Sequence, residues 1–108
     1  MYKDLSKEKC EPCELGRGHL MASEIEDLLK QVPDWSWEEH HRLAKEFAFE
    51  DFKSALDFVN QVGALAEEEG HHPDIFLTWG KVKVTLFTHK IDGLTENDFI
   101  MAIKIDKI

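Results

Sequence analysis

Eight consecutive residues, Glu67-Glu68-Glu69-Gly70-His71-His72-Pro73-Asp74, concentrate proton-transfer chemistry in one short stretch of the chain. Three carboxylates and a glycine lead into two adjacent histidines, with a proline and an acid beyond them. A third histidine, His89, and a further carboxylate, Asp98, follow downstream. Histidine changes charge near neutral pH, so it can give or take a proton with little driving force lost. Two or three of them around one pocket suit a reaction that needs both a general acid and a general base. No Ser or Cys stands beside them to act as a nucleophile. Three histidines and a carboxylate could also ligate zinc. Adjacent histidines in extended chain point to opposite faces, however, so His71 and His72 do not readily share one ion, and no metal is expected. Taken singly, His89 reads as a surface residue at a strand end, and Asp98 as the third-position carboxylate of a helix capping box. The coincidence of three histidines raises them to a candidate site.

The elements that must position these residues are legible around them. Residues 51–69 carry the clearest helical pattern, with Phe52, Ala55, Leu56, Val59, Val62, Leu65 and Ala66 at three- and four-residue steps. Asp51 is its expected N-cap and Gly70 its left-handed terminating residue. The acids Glu67 to Glu69 oppose the helix dipole at its C-terminal end, which suggests that one of them serves another purpose. Residues 75–79 and 82–89 read as a β-hairpin around Gly80-Lys81. That loop sets Trp79 opposite Val82, Leu77 opposite Val84 and Ile75 opposite Leu86 on an apolar face. Continued backwards, it sets His72 opposite His89 on the other face, with His71 pointing elsewhere or reaching the pocket from its rim. Asp92-Gly93 turns the chain, and Thr95-x2-Asp98 caps a last helix bearing Phe99, Ile100, Ala102 and Ile103.

Upstream, Ser23-x2-Glu26 predicts a capping box for a short helix with Ile25, Leu28, Leu29 and Val32 on its apolar stripe, ended by Pro33. Trp35 and Trp37 read as packing anchors. Residues 37–49 predict one or two strands with a bend near His40-His41-Arg42, whose histidines are expected on the solvated surface. The order is helix, strands, helix, two strands, helix. It predicts an α+β domain over residues 23–108, with helices on one face of an antiparallel sheet. Residues 1–22 predict a flexible N-terminal arm. Its Cys10-x2-Cys13 offers half a zinc site, with His19 as a candidate third ligand, but no second pair exists, and two free thiols are the simpler reading.

The totals bound the partners. Acids outnumber Lys plus Arg by 22 to 13, giving a net charge of −9. Such a surface repels phosphate backbones and anionic membranes, so direct nucleic-acid binding is not expected. No apolar run approaches the roughly 20 residues that span a bilayer, and no signal peptide is evident, so a cytoplasmic protein with reduced cysteines is expected.

Glu67-x3-His71-His72-Pro73, then Trp79, His89 and Asp98, resembles the signature of the pterin-4a-carbinolamine dehydratases, also called 4a-hydroxytetrahydrobiopterin dehydratases. The resemblance continues through Gly80-Lys81-Val82 and Gly93-Leu94-Thr95-x2-Asp98-Phe99. It extends over roughly residues 23–108, and the CxxC arm is similar to that of bacterial members. It implies a four-stranded antiparallel sheet backed by helices, in subunits that pair edge to edge into homodimers or homotetramers. It implies dehydration of a 4a-hydroxytetrahydropterin to the quinonoid dihydropterin, recycling the pterin used by aromatic amino acid hydroxylases. Catalytic His71, His72 and His89 would then surround the pterin, with Glu67, Pro73, Trp79 and Asp98 binding or orienting it. No metal or redox cofactor is implied. Ile75 stands where some relatives carry an aromatic, so an aromatic stacking on the pterin would have to be Phe76, Phe87 or Trp79. Vertebrate relatives also serve as dimerisation cofactors for a transcription factor, which makes an interaction module the second reading. A pterin site serving molybdopterin metabolism is a third.

Overall fold

The computed structural model describes Leu5 and residues 20–39 and 41–108. The Cys10, Cys13 and His19 cluster and His40 lie outside the described residues. Helix α1 covers Ala22–Leu29, strand β1 Ser36–Glu38, β2 Arg42–Ala48, helix α2 Phe52–Glu69, β3 Asp74–Thr78, β4 Lys81–Leu86 and helix α3 Glu96–Asp106. The four strands form one antiparallel sheet in the order β1-β2-β4-β3. The α+β architecture read from the sequence is the one observed. Leu43, Val82, Val84 and Leu86 of the sheet share one core with Ile25 and Leu28 of α1, Ala55, Phe58, Val62 and Ala66 of α2, and Phe99 to Ile103 of α3. Leu5 is fully buried in that core.

Helix α2 begins and ends where its caps dictate. The Asp51 carboxylate accepts from the Ser54 N–H at 2.7 Å, and Gly70 closes the helix at φ +68° with its N–H on Ala66 O. Its buried stripe differs from the expected one: Phe58 is inside, packed at a tilt against both Phe47 and Phe49, while Phe52 and Leu56 are exposed. Helix α1 starts two residues earlier than Ser23-x2-Glu26 predicts. The backbone tie from Leu20 N–H to Leu94 O sets its entry, and Glu24 reaches back to accept from the Met21 N–H at 2.8 Å. Trp35 is buried as an anchor, and its indole N–H is held by Asp106 at the end of α3.

The hairpin loop is Trp79-Gly80 rather than Gly80-Lys81. Thr78 pairs with Lys81, Leu77 with Val82, Ile75 with Val84 and Asp74 with Thr85. Gly80 is pinned from the side: its carbonyl accepts from the Phe49 N–H at 2.9 Å, and a Cβ there would sit 3.1 Å from Phe49 O. Moving a two-residue loop by one position shifts every cross-strand partner by two, so the two faces of the hairpin keep their identities. The same register carried back past Asp74 sets His72 beside Phe87 and His71 beside Thr88.

Candidate active site

Gly70 turns the chain off α2, and the His71 N–H follows onto Ala66 O at 3.2 Å. This tight exit aims the two histidines apart. His71 is buried under α3, where its Nε2 lies 2.7 Å from Asp98 Oδ1. Asp98 is completely buried at the third position of α3. Its other oxygen accepts from the Thr95 N–H and the Thr88 hydroxyl, both at 2.9 Å, and the Thr88 and Thr95 hydroxyls bond each other at 2.8 Å. The carboxylate therefore does two jobs. One oxygen completes the helix cap, where negative charge meets the positive end of the helix dipole. The other faces His71. An ionised carboxylate can only accept, so His71 Nε2 carries the donated proton and Nδ1 is left for chemistry.

His72 points the other way and is exposed. Its Nε2 lies 2.5 Å from Glu67 Oε2, a charge-assisted pair across the end of α2. Glu69 is nearly fully buried and pairs with Lys104 of α3 at 2.7 Å, fastening the helix end that carries the site. Two of the three acids at this unfavourable helix terminus thus have cationic or histidine partners. His89 follows β4 and lies stacked on Phe87, ring centroids 4.2 Å apart and planes 12° apart. A bridge between Thr88 and Gly93 closes the turn that carries His89.

Gly70, His71, His72, His89 and Lys90 together line a cleft of about 260 Å³. That is just below the roughly 300–1,000 Å³ typical of small-molecule sites, and suits a flat ring system better than a large ligand. Two larger hollows lie elsewhere, one over Ala44, Lys45, Glu46 and Lys83 and one beside Phe49, Glu50 and Ser54; no histidine lines either. Of the sequence-predicted residues, the structure brings together His71, His72, His89, Glu67 and Asp98. Pro73 is the next residue along. Trp79 sits exposed in the hairpin turn, at the opposite end of β3 from the histidines, and the fold does not bring it to this cleft. Thr95 was read from the sequence only as the cap of the last helix, and Thr88 was not foreseen. The one available signal was strand alternation, which puts Thr88 on the buried face beside Leu86 when His89 is on the open one. Among the described residues, no group of three or more His, Cys, Asp or Glu is arranged to hold a metal ion, and no helix is long and apolar enough to cross a membrane.

A family model described as pterin 4 alpha carbinolamine dehydratase matches residues 18–108. A protein of Rubrobacter xylanophilus is 50% identical over 105 residues, covering 97% of this chain and 98% of its own length. One of Alkaliphilus metalliredigens is 52% identical over 105 residues, covering 96% and 95%. Both carry the name pterin-4-alpha-carbinolamine dehydratase as an inferred assignment. A crystal structure from Brucella melitensis, described as a transcriptional coactivator/pterin dehydratase, superposes with a TM-score of 0.78 at 34% identity, over 83% of this chain and 97% of that one. A pterin dehydratase-like protein described as a RuBisCO assembly factor in the alpha-carboxysome matches with a TM-score of 0.59 at 28% identity, over 68% and 87%.

Proposed function

The chain belongs to the pterin 4 alpha carbinolamine dehydratase family, and on that premise we propose that its three-histidine cleft dehydrates a 4a-hydroxytetrahydropterin to the quinonoid dihydropterin. The observation that supports this most is the pairing of each of two histidines with its own carboxylate beside a third, His89, around one small cleft. The reaction breaks the bond from the ring carbon to its hydroxyl. A proton goes to the departing oxygen, giving water, and another leaves the neighbouring ring nitrogen as the carbon–nitrogen double bond forms. Net proton count is unchanged, so an acid and a base in one site suffice.

In this reading His71 takes the ring-nitrogen proton at Nδ1. Asp98, already bonded to Nε2, balances the charge that His71 then carries. His72, paired with Glu67 at the cleft rim, delivers a proton to the leaving hydroxyl. His89, lining the cleft from the strand β4 side, is the third catalytic histidine and holds the departing hydroxyl by a hydrogen bond while His72 protonates it. No step requires a metal or a redox cofactor. The subunit is proposed to work as a homodimer or homotetramer. Strands β1 and β3 are the sheet edges, and exposed Phe76 on β3 offers apolar surface for edge-to-edge pairing. The test is direct. Purified protein should accelerate loss of a chemically generated 4a-hydroxytetrahydropterin, and His72→Ala should remove most of that acceleration. A wild-type rate no higher than buffer would sink the proposal.

The similarity to a RuBisCO assembly factor, together with the exposed Phe52 and Leu56 on α2, favours an interaction role as the second reading. In that case the His72→Ala protein would keep its function while substitutions at Phe52 and Leu56 would lose it.

A further inference from the structure

Phe87 is stacked on His89, which lines the cleft, yet neither face of the Phe87 ring is open to a ligand. Arg42 stands directly across from it, one step beyond the Leu43–Leu86 pair of the β2–β4 ladder. The Arg42 guanidinium carbon lies 3.7 Å from the Phe87 ring centroid, and the His89 imidazole centroid lies 4.2 Å from it. Two planar groups that close to one centroid would overlap if they shared a face, so they cover opposite faces. Arg42 is itself anchored: it donates to Asp92 Oδ1 at 2.9 Å and to His41 O at 3.3 Å. Asp92 belongs to the turn that follows His89 and is held at φ +48°. The three-layer stack is thus closed at its outer end by an ion pair to the same turn that carries the imidazole.

We infer that Phe87 and Arg42 are positioning residues for His89: the Phe87 ring, backed by the Arg42 guanidinium, is a flat support that fixes the plane of the His89 imidazole in the cleft. Neither touches the substrate. The inference rests on the proposed function only for its kinetic consequence. His89 is exposed, and among the described residues no side-chain hydrogen bond restrains its ring as Asp98 and Glu67 restrain those of the other two histidines. A stacked ring held on its far side by a cation supplies the missing restraint, through attraction between the cation and the ring's negative face and between the offset rings. It also answers which aromatic could stack on a pterin: Phe87 could do so only by displacing Arg42 or His89.

The experiment compares Phe87→Leu, Phe87→Trp and Arg42→Gln with wild type. Ring-proton resonances of His89 are followed in the ligand-free protein, assigned with a His89→Gln variant. Stacking on Phe87 shields those protons. Phe87→Leu should move them downfield, Arg42→Gln should do so partly, and Phe87→Trp should keep them shielded. The His71 resonances, held by Asp98, should stay in place and report that each variant is folded. In the dehydration assay, Phe87→Leu should lower kcat by about 10- to 100-fold, as a loosely aimed catalytic group does, with KM changed by less than about threefold. Phe87→Trp should restore most of kcat. His89 resonances unmoved in Phe87→Leu, a loss confined to KM, or a Phe87→Trp protein as impaired as Phe87→Leu would each overturn the inference. If wild type itself fails to dehydrate the pterin, the proposed function falls, and the resonances alone decide whether Phe87 supports His89.

Discussion

Replacing Asp98 by Asn tests the reading of the buried half of the site with a change of one atom. The geometry fixes what must follow. The oxygen facing α3 accepts from the Thr95 N–H and the Thr88 hydroxyl. A backbone N–H cannot turn away, so the Asn carbonyl must take that position and its amide NH2 must face His71. The amide is a donor, and His71 Nε2 as now arranged is also a donor, 2.7 Å away. The ring can relieve this by moving its proton to Nδ1 and accepting at Nε2. Nδ1 would then carry the proton that the proposed mechanism needs it to receive. Shape and volume are conserved, and Thr88 and Thr95 keep an acceptor. The fold should therefore survive with a loss of about 1–3 kcal/mol, the usual cost of weakening hydrogen bonds to a buried charged group. General-base catalysis contributes roughly 10²–10⁴-fold, and the expected fall in kcat is of that order, or about 3–5 kcal/mol of barrier. Stopped-flow decay of a generated 4a-hydroxytetrahydropterin reads the rate, and nitrogen resonances of ¹⁵N-histidine read the tautomer. A variant with the His71 proton on Nδ1 that still turns over within about threefold of wild type would refute the role given to His71. So would an unchanged tautomer accompanied by full loss of rate.

Two further expectations concern the helix that delivers the histidines. Gly70→Ala should cost about 1–2 kcal/mol in denaturant unfolding, because φ is +68° while an added Cβ meets nothing within 4 Å, so the penalty is conformational alone. Asp51 is held below the usual aspartate range, first by the Ser54 backbone N–H and then by the Ser54 hydroxyl. Its stabilising contribution is therefore complete above the unfolded-state value near pH 4 and lost as pH falls through the lower folded value. Asp51→Asn, an equally good N-cap, should leave stability at pH 7 nearly unchanged and flatten its decline below about pH 4, as read from thermal melts across pH.

The elements were legible where one local rule decides them. Asp51 and Gly70 bound α2 because an N-cap carboxylate and a left-handed glycine act within one helical turn. What the sequence did not reveal was set by contacts distant along the chain. The hairpin loop falls on Trp79-Gly80 because Phe49, the residue after β2, grips Gly80. Helix α1 starts before Ser23 because Leu94 holds Leu20. Phe58 is inside and Phe52 outside because the aromatic cluster of Phe47 and Phe49 claims one side of α2, and helical spacing alone fits either residue. The candidate site divides the same way. Strand alternation correctly separated His71 from His72. It could not say that the side given to His71 ends on a buried carboxylate, since that depends on where α3 docks.

That separation bears on why the proposed mechanism uses two adjacent histidines. In extended chain, neighbouring side chains leave opposite faces. His71 and Thr88 go to the helix-covered face and meet Asp98. On the open face, the hairpin register sets His72 beside Phe87, which is flanked by His89 and Arg42. The cleft forms where β3 has not yet joined its ladder and the chain between the faces is only one strand thick. In the proposed mechanism, a flat substrate entering there meets a base backed by the interior and an acid backed by solvent-exposed Glu67 at once. The two histidines then sit in opposite surroundings without being far apart. One is shielded and fixed by three-way hydrogen bonding at Asp98; the other is free to exchange protons with water between turnovers. Exchanging the pair's environments, for example by moving the carboxylate partner from Asp98 to the open face, would leave both histidines present and the division of labour lost.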